Sequence, residues 1–109
     1  MIGSRNNKIG IFGGSFDPPH RGHLEISKIA IKKLSLTTLY WCVTKKNPFK
    51  KKTLFLLSER IKKSKHITKK IKKIKVKYFD KKIKSINTID LVKHLNKINK
   101  KNTFFLIIG

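Results

Sequence analysis

Apolar positions in the first part of the chain alternate between a compact run and a helical stripe. The run KIGIFG at 8–13 is short, apolar and β-branched, and glycines end it, which predicts a buried strand. From His23 to Leu34 the apolar residues fall on one side of a helical wheel, which predicts an amphipathic helix. Its stripe consists of Leu24, Ile26, Ala30, Ile31 and Leu34.

The middle of the chain repeats this alternation less clearly. The run TLYWCV at 38–43 predicts a second strand. Residues 54–67, LFLLSERIKKSKHI, predict a helix, although they carry no clean apolar stripe. The segment KIKVKYF at 73–79 alternates strictly between basic and apolar residues, as a half-buried strand does.

The last part of the chain adds a helix and a strand. Asn87 is an acceptable N-cap, and Leu91, Leu95 and Ile98 follow at helical spacing. The terminal run TFFLIIG at 103–109 is continuously apolar, which predicts a strand covered on both faces. Strands alternating with helices predict one α/β domain over 1–109, a parallel sheet with helices on both faces.

The high net charge of the chain does not by itself identify a binding partner. The chain has 28 Lys and Arg against 5 Asp and Glu, a formal net charge of +23. This excess indicates either a compositional bias that fills solvated faces or a surface selected for a polyanion. We do not expect nucleic acid, because most aromatic residues fall in predicted buried strands instead of among exposed basic ones.

We expect neither a membrane-spanning segment nor a reactive cysteine. The apolar runs are shorter than the ~20 residues that cross a bilayer, and the N-terminus resembles no secretion signal, so we expect a soluble cytoplasmic protein. The single cysteine, Cys42, lies in an apolar run and predicts a buried thiol. His66 and His94 are expected to be surface residues, and Tyr40 and Trp41 to pack in the core.

The loop GGSFDPPHRGH at 13–23 is the candidate for chemistry, since it joins the first strand to the first helix. Ligands of open parallel sheets bind at this edge. Gly13 and Gly14 permit positive φ and close approach of an anion to the backbone, and the turn Asp17-Pro18-Pro19 is rigid. The helix start favours a phosphate.

His20 and His23 are three residues apart, which places both rings on one ligand at the first turn of the helix. Two imidazoles beside phosphate oxygens can stabilise the charge that develops in phosphoryl or nucleotidyl transfer. A plain turn and a metal site are the alternatives, but no Cys or carboxylate stands nearby at a convincing ligand spacing. The loop lacks the Gly-Lys-Ser/Thr of a Walker P-loop and the dinucleotide Gly-x-Gly-x-x-Gly pattern.

The stretch GGSFDPPHRGHL resembles the signature of the nucleotidyltransferase superfamily with the His-x-Gly-His motif. Within it, the loop is most similar to that of bacterial nicotinate-nucleotide adenylyltransferases, and the pantetheine-phosphate branch, whose loop usually opens Pro-Gly-Thr-Phe, fits less well. YWCVTKKNPFK, LSERIKKS, KSINTIDLV and FFLIIG resemble later family segments, although Ser58 and Arg60 are one residue closer than in the family. The similarity covers essentially the whole chain.

The resemblance implies a Rossmann-like nucleotidyltransferase fold and direct adenylyl transfer from ATP to nicotinate mononucleotide. It implies catalysis by His20 and His23, and Mg²⁺ held mostly through the ATP phosphates. Gly13, Gly14, Ser15 and Phe16 would line the ATP site by backbone and packing. ATP would also contact His20, His23 and Gly109, and the second substrate would contact Asn47, Lys50, Ser85 and Asn87.

The chain departs from the family pattern in two ways. Ile86 and Asn87 stand where the family has Tyr and Thr, which bears on recognition of the pyridine ring. The chain also ends at Gly109, so we expect the N-terminal portion of a family member, with the C-terminal part missing. That leaves an inactive fragment as the alternative to an enzyme, and an uncovered sheet that could self-associate.

Overall fold

The computed structural model of the protein describes residues 7–44, 53–79, 92–93, 95–97 and 101–108. Strands and helices alternate over most of this length. The elements are β1 (Lys8–Gly14), α1 (Arg21–Leu34), β2 (Thr38–Val43), α2 (Leu57–Thr68), β3 (Ile74–Lys77) and β4 (Thr103–Ile107). Residues 92–93 and 95–97 are also helical. The predicted order of elements is therefore confirmed where the chain is described.

The four described strands form one parallel sheet in the order β3-β2-β1-β4. The chain adds β2 and β3 on one side of β1 and then returns to place β4 on the other side. Parallel sheets of this kind bind ligands beyond the carboxyl ends of their strands, where the strand order reverses. In this sheet that position lies between the ends of β1 and β4.

Alternate residues of the central strands face opposite sides of the sheet, as the pleat requires. On one face Phe12, Leu39 and Trp41 pack with α1 and α2. On the other, Ile9 and Ile11 pack with Leu95, one of the helical residues 95–97. The sheet thus has helical segments on both faces, which confirms the predicted architecture. The α1 stripe faces the first cluster as predicted, and Cys42 is buried.

Helix α2 packs against the sheet with a polar buried face. Arg60, Ser64 and Thr68 lie four residues apart and are all buried. The hydroxyl of Ser64 donates to the Arg60 carbonyl, and that of Thr68 to the Ser64 carbonyl, both at 2.7 Å. These bonds satisfy the buried polar groups. The missing apolar stripe of 54–67 therefore reflects a buried face that is itself polar.

Strand β4 differs from the prediction made for the terminal apolar run. It pairs with β1, but all five of its residues are half-buried or exposed. Leu106 is 39% exposed and Ile108 82% exposed. Phe105 and Ile107 pack against the core cluster on one face and Phe104 against that on the other, so within the described residues both faces are covered only in part. None of the described helices is both long and apolar enough to cross a membrane.

Candidate active site

The loop 15–20 leaves the carboxyl end of β1 and enters α1, so it lies beside the point where the strand order reverses. His20 is the N-cap of α1, in extended backbone conformation, and His23 lies in the first helical turn. Their ring centroids are 3.9 Å apart, with an angle of 33° between the ring planes. The structure thus brings the two predicted catalytic residues together at the edge where a ligand binds.

The two histidines cap the helix reciprocally. The N–H of Gly22 donates to Nδ1 of His20 at 3.0 Å. The N–H of His20 donates in turn to Nδ1 of His23, also at 3.0 Å. These bonds satisfy backbone donors that have no partner within a helix. The three-residue spacing of His20 and His23 therefore allows the two histidines to cap the helix as well as bringing their rings together.

This capping determines which nitrogen of each ring meets a ligand. A backbone N–H can only donate, so each Nδ1 must present a lone pair and cannot carry a proton while the bond exists. Each neutral imidazole therefore carries its proton on Nε2. His20 is exposed and His23 half-buried. The pair can offer two Nε2–H donors to one anion.

His23 lies against aromatic rings, which lowers its basicity. Its centroid is 4.7 Å from that of Phe16 and 5.8 Å from those of Phe12 and Trp41. Burial, and secondly the charge of His20, lower the pKa of His23 from 6.5 to about 4. His23 is therefore neutral at physiological pH and is able to donate a hydrogen bond from Nε2 without carrying a fixed charge.

A buried hydrogen-bond chain joins α1 to β2 directly behind this pair. The Trp41 indole N–H donates to Oγ of Ser27 at 2.8 Å, and that hydroxyl donates to the His23 carbonyl at 2.7 Å. Trp41 and Ser27 are both fully buried. Trp41 packs in the core as predicted and also holds the first turn of α1 on the sheet.

Positive φ is expected at Gly13 and Gly14, but in this loop it occurs at Phe16. No described glycine has positive φ, whereas Phe16 has φ 49°. Gly13 and Gly14 are instead the last residues of β1. The Phe16 ring is 2% exposed and stacks on Trp41 with centroids 4.7 Å apart. Phe16 therefore packs in the core beneath the loop, and its expected place in the lining of the ATP site stays a prediction.

Asp17, which was expected only to form a rigid turn with Pro18 and Pro19, and the buried Arg60 fasten the loop. The carboxylate of Asp17 accepts hydrogen bonds from the N–H groups of Leu54 and Phe55 at 2.6 and 2.8 Å. Arg60 is 1% exposed and donates to the Ser15 carbonyl at 2.8 Å. In a Lys-rich chain the sequence does not indicate which basic residue is buried. Only the resemblance of LSERIKKS to a family segment pointed to Arg60.

Several predicted site residues lie outside the described part of the chain. They are Asn47, Lys50, Ser85, Asn87 and Gly109, and His94 belongs with them. Ser15 is half-buried in the loop, and His66 is exposed as predicted. Within the described ranges, no three His, Cys, Asp or Glu residues cluster in a way that could hold a metal ion.

Comparison with known proteins agrees with this loop and sheet. The sequence profile of the cytidylyltransferase-like family matches residues 11–109. The chain belongs to that family. The match begins inside β1, so this family member contains the whole loop and both histidines within the matched region.

Individual relatives of this cytidylyltransferase-like chain carry a more specific name. The "Probable nicotinate-nucleotide adenylyltransferase" of Pelagibacter ubique (strain HTCC1062) is 47% identical over 106 residues, 97% of this chain and 59% of the relative. The protein of the same name from Rhizobium etli (strain CIAT 652) is 38% identical over 102 residues, 93% of this chain and 53% of the relative. These relatives confirm the resemblance, and the chain spans just over half of their length.

Solved structures share the fold at lower identity. The Plasmodium falciparum nicotinic acid mononucleotide adenylyltransferase complexed with APC superposes with a TM-score of 0.77 at 20% identity, over 93% of this chain and 50% of that one. The same enzyme complexed with NaAD gives a TM-score of 0.67 at 21% identity, over 93% of this chain and 51% of that one. At this identity the likeness concerns the fold.

Proposed function

We propose that the chain carries the adenylyl-transfer site of a nicotinate-nucleotide adenylyltransferase. The observation that carries the proposal is the reciprocal capping of His20 and His23, which occupies both Nδ1 atoms and leaves the two Nε2–H groups as the donors of the pair. The names of the bacterial relatives support the choice of nicotinate mononucleotide as acceptor. The structural neighbours that are complexed with APC and with NaAD support a nucleotide as ligand of this fold.

The proposed reaction is a direct displacement at the α-phosphorus of ATP. An oxygen of the nicotinate mononucleotide phosphate attacks this phosphorus, the bond to the oxygen that bridges the α- and β-phosphates breaks, and pyrophosphate leaves. The Nε2–H groups of His20 and His23 donate to phosphate oxygens as negative charge develops there. Because His23 is neutral, its Nε2–H donates without placing a fixed positive charge in the site.

The remaining described residues hold the nucleotide by their backbone. Gly13, Gly14, Ser15 and Phe16 run from the end of β1 into the loop, where backbone N–H groups can bind phosphates. Mg²⁺ would enter with ATP and offset phosphate charge. The two carboxylate oxygens of Asp17 accept the N–H groups of Leu54 and Phe55 and hold the loop.

Pyrophosphate release tests the proposal. The purified chain is mixed with ATP, Mg²⁺ and nicotinate mononucleotide, and with pantetheine phosphate as the competing acceptor. We expect release with the first acceptor only, and a loss of about 100-fold or more in His20→Ala and His23→Ala. His66→Ala is the matched control, because His66 lies on the exposed side of α2.

The outcomes separate the alternatives. Release with pantetheine phosphate alone would assign the chain to the related branch. No release from a folded wild-type chain would contradict activity of this chain and favour the inactive fragment. The same variants, fused to the C-terminal part of the Pelagibacter ubique relative that this chain does not cover, test the loop at that relative's full length.

A further inference from the structure

The Arg60 guanidinium joins three segments that are distant in sequence. Its Nη1 donates to the Ser15 carbonyl at 2.8 Å and to the Thr44 carbonyl at 2.7 Å. Its Nε donates to the Phe55 carbonyl at 3.1 Å. A lysine ammonium cannot reproduce this planar fork. One buried side chain therefore connects the ends of two strands and the turn that precedes α2.

These segments meet where the candidate site lies. Ser15 follows β1 and Thr44 follows β2, and the Thr44 N–H donates to the Gly14 carbonyl at 2.9 Å. Arg60 thus continues the pairing of the two strands beyond their last residues. It acts at the carboxyl edge of the sheet, just before the chain turns toward α1.

The loop residue between the fastened positions is Phe16. Arg60 holds Ser15 on one side of it, and the Leu54 and Phe55 N–H groups hold Asp17 on the other. A bulky residue with φ 49° is strained and persists only where its surroundings impose that conformation. The two fastenings impose it here.

The Phe16 conformation in turn sets the environment of His23. The Phe16 ring packs against both the Trp41 indole and the His23 imidazole, with centroid distances of 4.7 Å to each, while those two rings are themselves 5.8 Å apart. We propose that Arg60 is a positioning residue: by holding the loop 15–17 it seats the His23 imidazole, without touching substrate itself. Its effect on transfer rests on the proposed function, whereas its effect on His23 does not.

The first test is the NMR titration of His23 in Arg60→Met, which removes the guanidinium and its hydrogen bonds to Ser15, Thr44 and Phe55 and keeps an unbranched side chain. Thr68→Val is the matched control, because it removes a buried α2 hydrogen bond away from the loop. In the wild type the pKa of His23 is about 4. We expect it to rise by about one unit or more in Arg60→Met, as Phe16 no longer excludes water, and to stay unchanged in Thr68→Val.

The second test separates positioning from general destabilisation. In the transfer assay we expect kcat to fall by about tenfold or more in Arg60→Met, with a smaller change in KM, and Arg60→Lys to be intermediate. A folded Arg60→Met with the wild-type His23 titration would overturn the proposal. If Arg60→Met does not fold, the His23 titration is measured in Arg60→Lys, where an unchanged pKa of His23 would overturn the proposal. The Arg60 Nε–H of the wild type must also exchange slowly with solvent. A wild-type chain without turnover would overturn only the proposed function, because the His23 titration needs no substrate.

Discussion

Gly22 lies directly against the imidazole of His20. A Cβ at position 22 would stand 2.8 Å from Cε1 and 3.0 Å from Nδ1 of that ring. The Gly22 N–H donates to the same Nδ1. The glycine between the two histidines is therefore explained by the close approach of the ring and not by a special φ, because no described glycine has positive φ.

Gly22→Ala is expected to separate function from stability. Alanine in a helix is favoured over glycine by about 1 kcal/mol, and the lost cap costs about 1 kcal/mol, so the melting temperature should change little. The displaced His20 ring should weaken ATP binding by about tenfold or more. Thermal unfolding measures the melting temperature, and calorimetric titration with ATP measures the ATP affinity. Lys28→Ala on the exposed side of α1 is the control, and unchanged ATP affinity in Gly22→Ala would contradict the explanation.

The low pKa of His23 predicts a stability loss in mild acid. In the unfolded chain this histidine binds a proton below pH 6.5, whereas in the folded chain it does so only below about 4. Between these two pH values the unfolded state binds more protons than the folded state. The contribution of neutral His23 to the free energy of unfolding is therefore complete above pH 6.5 and falls as the pH drops toward 4. Urea unfolding at pH 7 and pH 4.5 measures this loss.

The control for this pH effect is His23→Asn, because the amide oxygen of asparagine can accept the His20 N–H as Nδ1 does. This variant should lose less free energy of unfolding between the two pH values than the wild type. Parallel pH dependence in the two proteins would show that His23 is not the group responsible.

Ser27 and Trp41 should be energetically coupled. Ser27→Ala leaves the buried indole N–H without its acceptor, which should cost about 1–3 kcal/mol of unfolding free energy. In a Trp41→Phe background there is no N–H to strand, so the same substitution should cost less. Urea unfolding of the four proteins gives the coupling, and additive effects would contradict a direct bond.

Asp17 should stabilise the turn that precedes α2. Asp17→Ala removes the acceptor of two backbone N–H groups, and we expect a loss of about 1–3 kcal/mol. Glu25→Gln is the matched control, because the exposed Glu25–Lys28 pair at 3.8 Å should contribute at most about 0.5 kcal/mol. Hydrogen exchange at the Leu54 and Phe55 amides should accelerate in Asp17→Ala alone, and protection that stays at the wild-type level would argue against the contact.

The sequence predicts the parallel sheet and the meeting of His20 with His23, because strand runs, helical periodicity and motif spacing act locally. It does not predict the buried face of α2, since Arg60, Ser64 and Thr68 are polar and become buried only through bonds to carbonyls. The φ of Phe16 is equally invisible in sequence, because residues 38 and more positions away impose it. Tertiary contacts of polar groups, more than apolar patterning, complete the candidate site.

The most direct measurement is the ¹⁵N spectrum of the histidine side chains during a titration with Mg²⁺-ATP at physiological salt. We expect Nε2–H tautomers for His20 and His23 and a saturable shift of both Nε2 resonances, with His66 unchanged. Nδ1–H tautomers, or a shift of His66 while the His20 and His23 resonances stay in place, would contradict a phosphate site built on this histidine pair.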